Sequence, residues 1–185
     1  MAPARHWLQQ GLSLPLRARS WCLAVGSDFR VGPWNHPWMD RADIDLRNLT
    51  YGLFVRLGRA PTAEDVARAA GSTVWEIETG WRRLHEQHAL VLDAEATMLL
   101  MANPFSAVPT PYRVLALDRW WYANCAWDAF GICAALHVDG RIETSCPDCG
   151  EPIIVDVKDE RPVGHDNAFH CVVPAESWWD DIVFT

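Results

Sequence analysis

Between residues 44 and 57 the apolar positions Ile44, Leu46, Leu49, Leu53, Phe54 and Leu57 recur at helical spacing, and Gly58 follows them. That pattern predicts an amphipathic helix stopped by a glycine. Pro61 and Thr62 predict the start of a short helix running to Ala70, with Gly71 after it. Thr73 and Glu76 have the T-x-x-E spacing of a capping box. Behind them Val74, Ile77, Trp81 and Leu84 mark one buried face. Residues 89–92 and 97–101 predict two short strands around a polar turn at 93–96. Three helices followed by a β-hairpin is the order of a winged helix.

The pattern then changes from helical to alternating. Residues 101–110 form a loop with Pro104 and Pro109, joining the two halves. Residues 112–117 and 119–122 predict strands, and a helix begins at Cys125. Asp139 and Gly140 mark a tight turn. Strands are predicted at 141–144, 153–157 and 169–173, a helical turn at 177–180, and a last strand at 182–184. Residues 1–40 keep no period, and Cys22 among them receives no role. The expected class is α+β: an extension over 1–40, a winged-helix-like helical module over 41–102, and an antiparallel-sheet domain over 103–185.

Composition narrows the function classes. Half of the 185 residues are apolar and eleven are tryptophan, enough for a core with thick aromatic packing. The net charge of −8 disfavours a sequence-independent grip on phosphates. The would-be recognition helix opens with Glu76 and Glu78, where a DNA reader needs donors or cations, so no nucleic-acid partner is expected. No apolar run reaches the length that spans a bilayer, and the N-terminus has no convincing signal peptide, so no membrane partner is expected. Six cysteines with one close-spaced pair do not make a disulfide scaffold, and a reduced, cytoplasmic protein is the simpler reading.

Two stretches carry candidate chemistry. In NCAWDAFGICAAL, residues 124–136, Cys125 precedes Asp128 by three positions at the start of a helix, so thiol and carboxyl share a face. The helix N-terminus favours thiolate. Desolvation beside Trp127 and Phe130 would let the aspartate hold a proton. The plain alternative is a core helix with a small apolar cysteine and a capping aspartate. The second stretch is CPDCG, with Cys146 and Cys149, which resembles a zinc-ribbon knuckle. A structural zinc needs four ligands, and His165, His170 and Cys171 do not stand at the spacing of a second knuckle.

The blocks MANPFSAVPTPYRV, WWYANCAWDAFG, SCPDCGEPI and VPAESWWDDIVFT, in this order, resemble the organomercurial (alkylmercury) lyase family over roughly residues 43–185. The resemblance implies a catalytic pair of Cys125 and Asp128. It implies mercury bound by Cys125 and by a second catalytic thiol expected at or beyond Thr185. A chain stopping there reads as cut short, or as a member lacking that thiol. Cys133 and Cys171 are weak substitutes. The family carries a structural cysteine at the offset from its first catalytic cysteine that Cys146 occupies here, which leaves Cys149 unassigned. Phe105, Trp121 and Trp127 are candidates to wall a pocket for the organic group; Phe105 reads equally as core, and for the two tryptophans a core role is the plainer reading. The implied reaction, one of mercury resistance, is protonolysis of a carbon–mercury bond, giving a hydrocarbon and Hg(II). It needs no resident cofactor. Its partners would be an organomercurial, cellular thiols as co-substrate, and a mercuric reductase that removes the Hg(II) product.

Two other readings stay open. One is a related Cys/Asp enzyme with a non-mercury substrate. The other is a non-catalytic metal- or thiol-binding regulator on the winged-helix scaffold.

Overall fold

The computed structural model describes residues 39–164 and 173–182. Helix α1 (Arg41–Leu57) starts at Asp40, whose side chain accepts from the Asp43 N–H, and stops at Gly58 in the left-handed region with φ 69°. Its N–H returns to the Phe54 carbonyl at 3.0 Å, closing the last turn. Helix α2 (Ala63–Ala70) and helix α3 (Val74–Glu86) both open on capping boxes, Thr62 with Asp65 and Thr73 with Glu76. Thr62 and the Thr73–Glu76 box stand where the sequence predicts helix starts, and Asp65 completes a second box at Thr62. Trp81 of α3 is fully buried, and its indole N–H donates to Thr50 Oγ1 of α1 at 3.0 Å. Thr50 in turn donates to the Leu46 carbonyl, so the one polar atom of the indole is satisfied inside the core.

After the helices come β1 (Val91–Leu92), β2 (Leu99–Ala102) and β3 (Phe105–Ser106), an antiparallel sheet in that order. The third strand lies in the stretch expected to be a loop, and it is buried along its length. Its short, proline-flanked sequence has no alternation to reveal it. Phe105 ties the two halves together. Its ring stacks on Phe54 of α1 at 5.2 Å and meets Trp121 at 5.2 Å in a tilted arrangement.

The second sheet is five-stranded and antiparallel in the order β5-β4-β6-β7-β8. The strands are β4 (Arg113–Ala116), β5 (Arg119–Tyr122), β6 (Gly140–Ser145), β7 (Pro152–Lys158) and β8 (Arg161–Val163). Trp121, Val114, Ile142 and Val155 are paired in register across it and all four are buried. This row makes the inner face, and helix α4 (Ala126–Leu136) packs on β4 and β6. The edge strand β8 was not foreseen, because Arg161–Val163 is exposed throughout and carries no buried face to pattern it. A 3₁₀ turn at Ala175–Asp180 falls where one helical turn was expected. It brings Trp179 flat against His88 at the end of the helical module, rings 4.2 Å apart. The strand expected at 169–173 lies almost wholly outside the described residues, as do Cys22, His165, His170, Cys171 and Thr185. No helix among the described residues is long and apolar enough to cross a membrane.

Candidate functional site

The approach to Cys125 is fixed by its backbone. Ala123, at the end of β5, is fully buried, and its N–H donates to the Tyr112 carbonyl at 2.9 Å. Its own carbonyl accepts from Thr110 Oγ1 at 2.6 Å. The chain therefore enters α4 at a defined angle. Cys125 is the N-cap, with extended backbone, and its carbonyl accepts the first helical bond from Ala129 at 3.0 Å. Its side chain does not cap the helix. The sulfur instead makes a hydrogen bond with the Asp128 carboxyl. The expected three-residue pairing of thiol and carboxyl is present.

Asp128 is half-buried in the first turn. Burial pushes its carboxyl above the ordinary aspartate range, against the opposing pull of hydrogen bonds from Asn124 and Cys125. No arginine, lysine or histidine among the described residues forms an ion pair with it. The result is a carboxyl that holds a proton more readily than a surface aspartate, in contact with a thiol.

Three neighbours escaped the sequence reading. Asn124 Nδ2 donates to Asp128 Oδ2 at 3.0 Å and to Asn103 Oδ1 at 2.9 Å. Its Oδ1 is buried without a hydrogen-bond partner. The i,i+4 spacing of Asn124 and Asp128 was a usable signal, whereas Asn103 arrives from the β2–β3 turn and had none. Gly131 lets this turn approach, because a Cβ there would stand 3.0 Å from Pro104 Cβ. The third neighbour is Tyr51 of α1. Its hydroxyl donates to the Ala89 carbonyl at 2.9 Å, under the Arg47 guanidinium 4.5 Å from the ring. Burial raises the Tyr51 pKa, and the charge of Asp128 adds to the rise, so the helical module lies within electrostatic reach of the site.

The other candidates fall in distinct places. Phe105 and Trp121 are in the core, 2 % and 3 % exposed, with the Trp121 indole bonded to the Ala116 carbonyl. Their surface is spent on packing rather than on an open wall. Trp127, beside Asp128, is 59 % exposed and is the one of the three whose ring faces solvent. Cys133 is buried, and its thiol is pushed up to about 11, chiefly by that burial and then by the Asp139 charge. It lies against Gly140 on the sheet side of α4 and does not join Cys125. Cys146 and Cys149 sit together on the β6–β7 turn, where hydrogen bonds from backbone N–H groups of Cys149 and Asp148 pull the Cys146 thiol down. No cluster of three or more metal-ligating side chains occurs among the described residues. A shallow depression lined by Leu115, Asp118, Gly140 and Asp156 lies at the opposite end of the sheet from Cys125.

A cysteine sharing a hydrogen bond with a half-buried carboxyl that no cation among the described residues pairs with, on an antiparallel α+β scaffold, makes a thiol-and-acid site. Residues 105–185 match the family model described as MerB, alkylmercury lyase. The fold is similar to the crystal structure of the mercury-bound form of MerB2, with a TM-score of 0.56 and 19 % identity. The likeness covers 81 % of this chain and 67 % of that one, so the shared architecture extends upstream of residue 105. No curated protein matches the chain.

Proposed function

We propose that the chain cleaves carbon–mercury bonds by protonolysis, with Cys125 as mercury ligand and Asp128 as the group that carries the proton. The observation that carries this reading is the hydrogen bond between Cys125 and a carboxyl whose burial favours its protonated form. Mercury is soft and prefers thiolate sulfur. In the proposed sequence, Cys125 displaces the small-molecule thiol from an organomercurial. A second thiol then binds the metal while Asp128 takes its proton. That proton passes to the carbon as the carbon–mercury bond breaks, its electron pair going to the new C–H bond. Hydrocarbon leaves, Hg(II) stays on two thiolates, and no electrons are exchanged with an outside reagent. Excess cellular thiol or a mercuric reductase then removes the metal. In this reading Asn124 orients the carboxyl and the exposed indole of Trp127 covers the organic group.

In this reading the helical module is a winged-helix scaffold that supports the site rather than a DNA reader. The N-terminus of α3 is occupied by its own carboxylate: Glu76 accepts from Ser72 and Thr73 and its pKa falls to about 2. Of the two arginines on α3, Arg82 pairs with Glu78 and Arg83 with Asp43. Salt-dependent retention on DNA should therefore be negligible, and measurable retention would favour the regulator reading. A reducing, cytoplasmic setting is part of this reading, from the sparse cysteine usage of the sequence.

The test is headspace detection of benzene from phenylmercury with excess monothiol. The chain should release benzene and Cys125→Ala should not. Benzene release retained by Cys125→Ala would remove the assignment, and no release by either would turn attention to the related enzyme with a non-mercury substrate.

A further inference from the structure

The CPDCG turn has no part in the proposed chemistry, yet it is built around a sulfur. Cys146 N–H donates to the Glu151 carbonyl at 2.8 Å, and Gly150 N–H donates to the Cys146 carbonyl at 2.9 Å. Gly150 takes φ +75°, a conformation that a side chain would strain, so the turn closes tightly. This turn holds Cys146 and Cys149 three residues apart, with no disulfide at either; Cys146 is half-buried and Cys149 exposed.

The place of the turn in the sheet matters too. Tyr122 of β5 and Glu143 of β6 both pair with Arg113, from its two sides. The two strands therefore run the same way and leave the same end of the sheet, one into Cys125 and the other into Cys146. Their lines are two strand spacings apart, roughly 10 Å.

We propose that Cys146 and Cys149 form a second site, a two-thiolate clasp for a thiophilic divalent cation, at the sheet end that also carries Cys125. Two sulfurs on one turn complete the coordination that Hg(II) requires, whereas zinc takes four ligands. Binding releases two protons to solvent as two sulfur–metal bonds form, and no electrons move. The biological meaning rests on the lyase reading: the clasp would hold the kind of ion that the Cys125 site releases. The binding itself does not depend on that reading.

The experiment adds Hg(II) with excess monothiol to the Cys125→Ser chain, and to the same chain carrying Cys149→Ser or both Cys146→Ser and Cys149→Ser. Native mass spectrometry counts bound metal, and sulfur-to-mercury absorption reports the ligands. The Cys125→Ser chain should keep one more Hg(II) than the doubly substituted clasp. Its retention against monothiol should be stronger by roughly 10²–10⁴-fold, the advantage of a second ligand already in place. Cys149→Ser alone should lose that ion with circular dichroism and melting unchanged, since its side chain is exposed, so misfolding cannot mimic the result. Equal retention in all variants overturns the proposal. Stoichiometric zinc on the purified protein, dependent on these two cysteines, overturns it as well by making the turn half of a tetrahedral site. Hydrocarbon release from the unsubstituted chain is scored separately, so failure of the lyase reading and failure of the clasp are distinguishable.

Discussion

Two aspartates near the start of helices have been withdrawn from water, and they have been treated in opposite ways. Asp43 of α1 is 2 % exposed, and Arg83 grips it with Nη2 at 2.6 Å and Nε at 3.1 Å. Gln87 adds a further donor at 3.2 Å. Its charge is answered, and the pair fastens α3 to α1. Asp128 of α4 has an amide and a thiol for partners and no cation among the described residues. A buried carboxylate with an arginine is a structural joint, while one without is a carboxyl poised to exchange a proton. The helical module thus spends its buried charge on fastening, whereas the sheet domain leaves Asp128 without a cation among the described residues.

The sharpest way to break this contrast is to neutralise each aspartate in turn. Asp128→Asn should lower the rate of hydrocarbon release by about 10²–10⁴-fold, the usual weight of a proton-transfer group, with melting unchanged or slightly raised. A near-normal rate in that variant would end the contrast. Asp43→Asn should do the reverse. It should cost about 1–3 kcal/mol of stability by denaturant unfolding, toward the lower end because Arg83 is half-exposed, and leave the rate per folded molecule intact. An Asp43→Asn chain that is stable but inactive would place Asp43 in the site.

Smaller effects sharpen the picture. Asn124→Ala should slow release on the order of tenfold, the worth of one hydrogen bond to a charged group. The Asn124 bond favours the ionised carboxyl, so its loss raises the Asp128 pKa further. Because the proposed sequence begins with Asp128 ionised, the acid limb of the pH–rate profile should move to higher pH; an unmoved limb would reduce Asn124 to packing. The least effect concerns stability. Asp128 binds its proton more tightly folded than unfolded, so its contribution is fully present below the ordinary carboxylate range and is lost as pH rises through its raised value. Unfolding measured across that window should show a decline in the unsubstituted chain that is absent from Asp128→Asn.

Much of this molecule was legible because its signals are local. Gly58, Thr62, Gly71 and the Thr73–Glu76 box each act within a turn of the backbone, and each stands at the helix end it predicted. β5 occupies the residues expected of it, and Cys125, expected as the first helical residue, is instead the extended N-cap and still meets Asp128 in the first turn. Phe105 and Trp121 were ambiguous because an aromatic residue reads the same whether it lines a pocket or fills a core, and packing against Phe54 decided for the core. β3 and β8 were missed because each is two or three residues long and becomes a strand only by pairing with a neighbour.

The sequence by itself thus determined the helix limits, the α+β order, the family resemblance that the match over 105–185 bears out, and the thiol–carboxyl pair, since all of these depend on residues close in the chain. Tertiary structure decided the character of that pair. Asn103 comes from 21 residues upstream of Asn124, and the Tyr51 ring comes from another module. The proton affinity of Asp128 depends on who surrounds it and who does not, and a carboxyl's surroundings are set by contacts between distant segments.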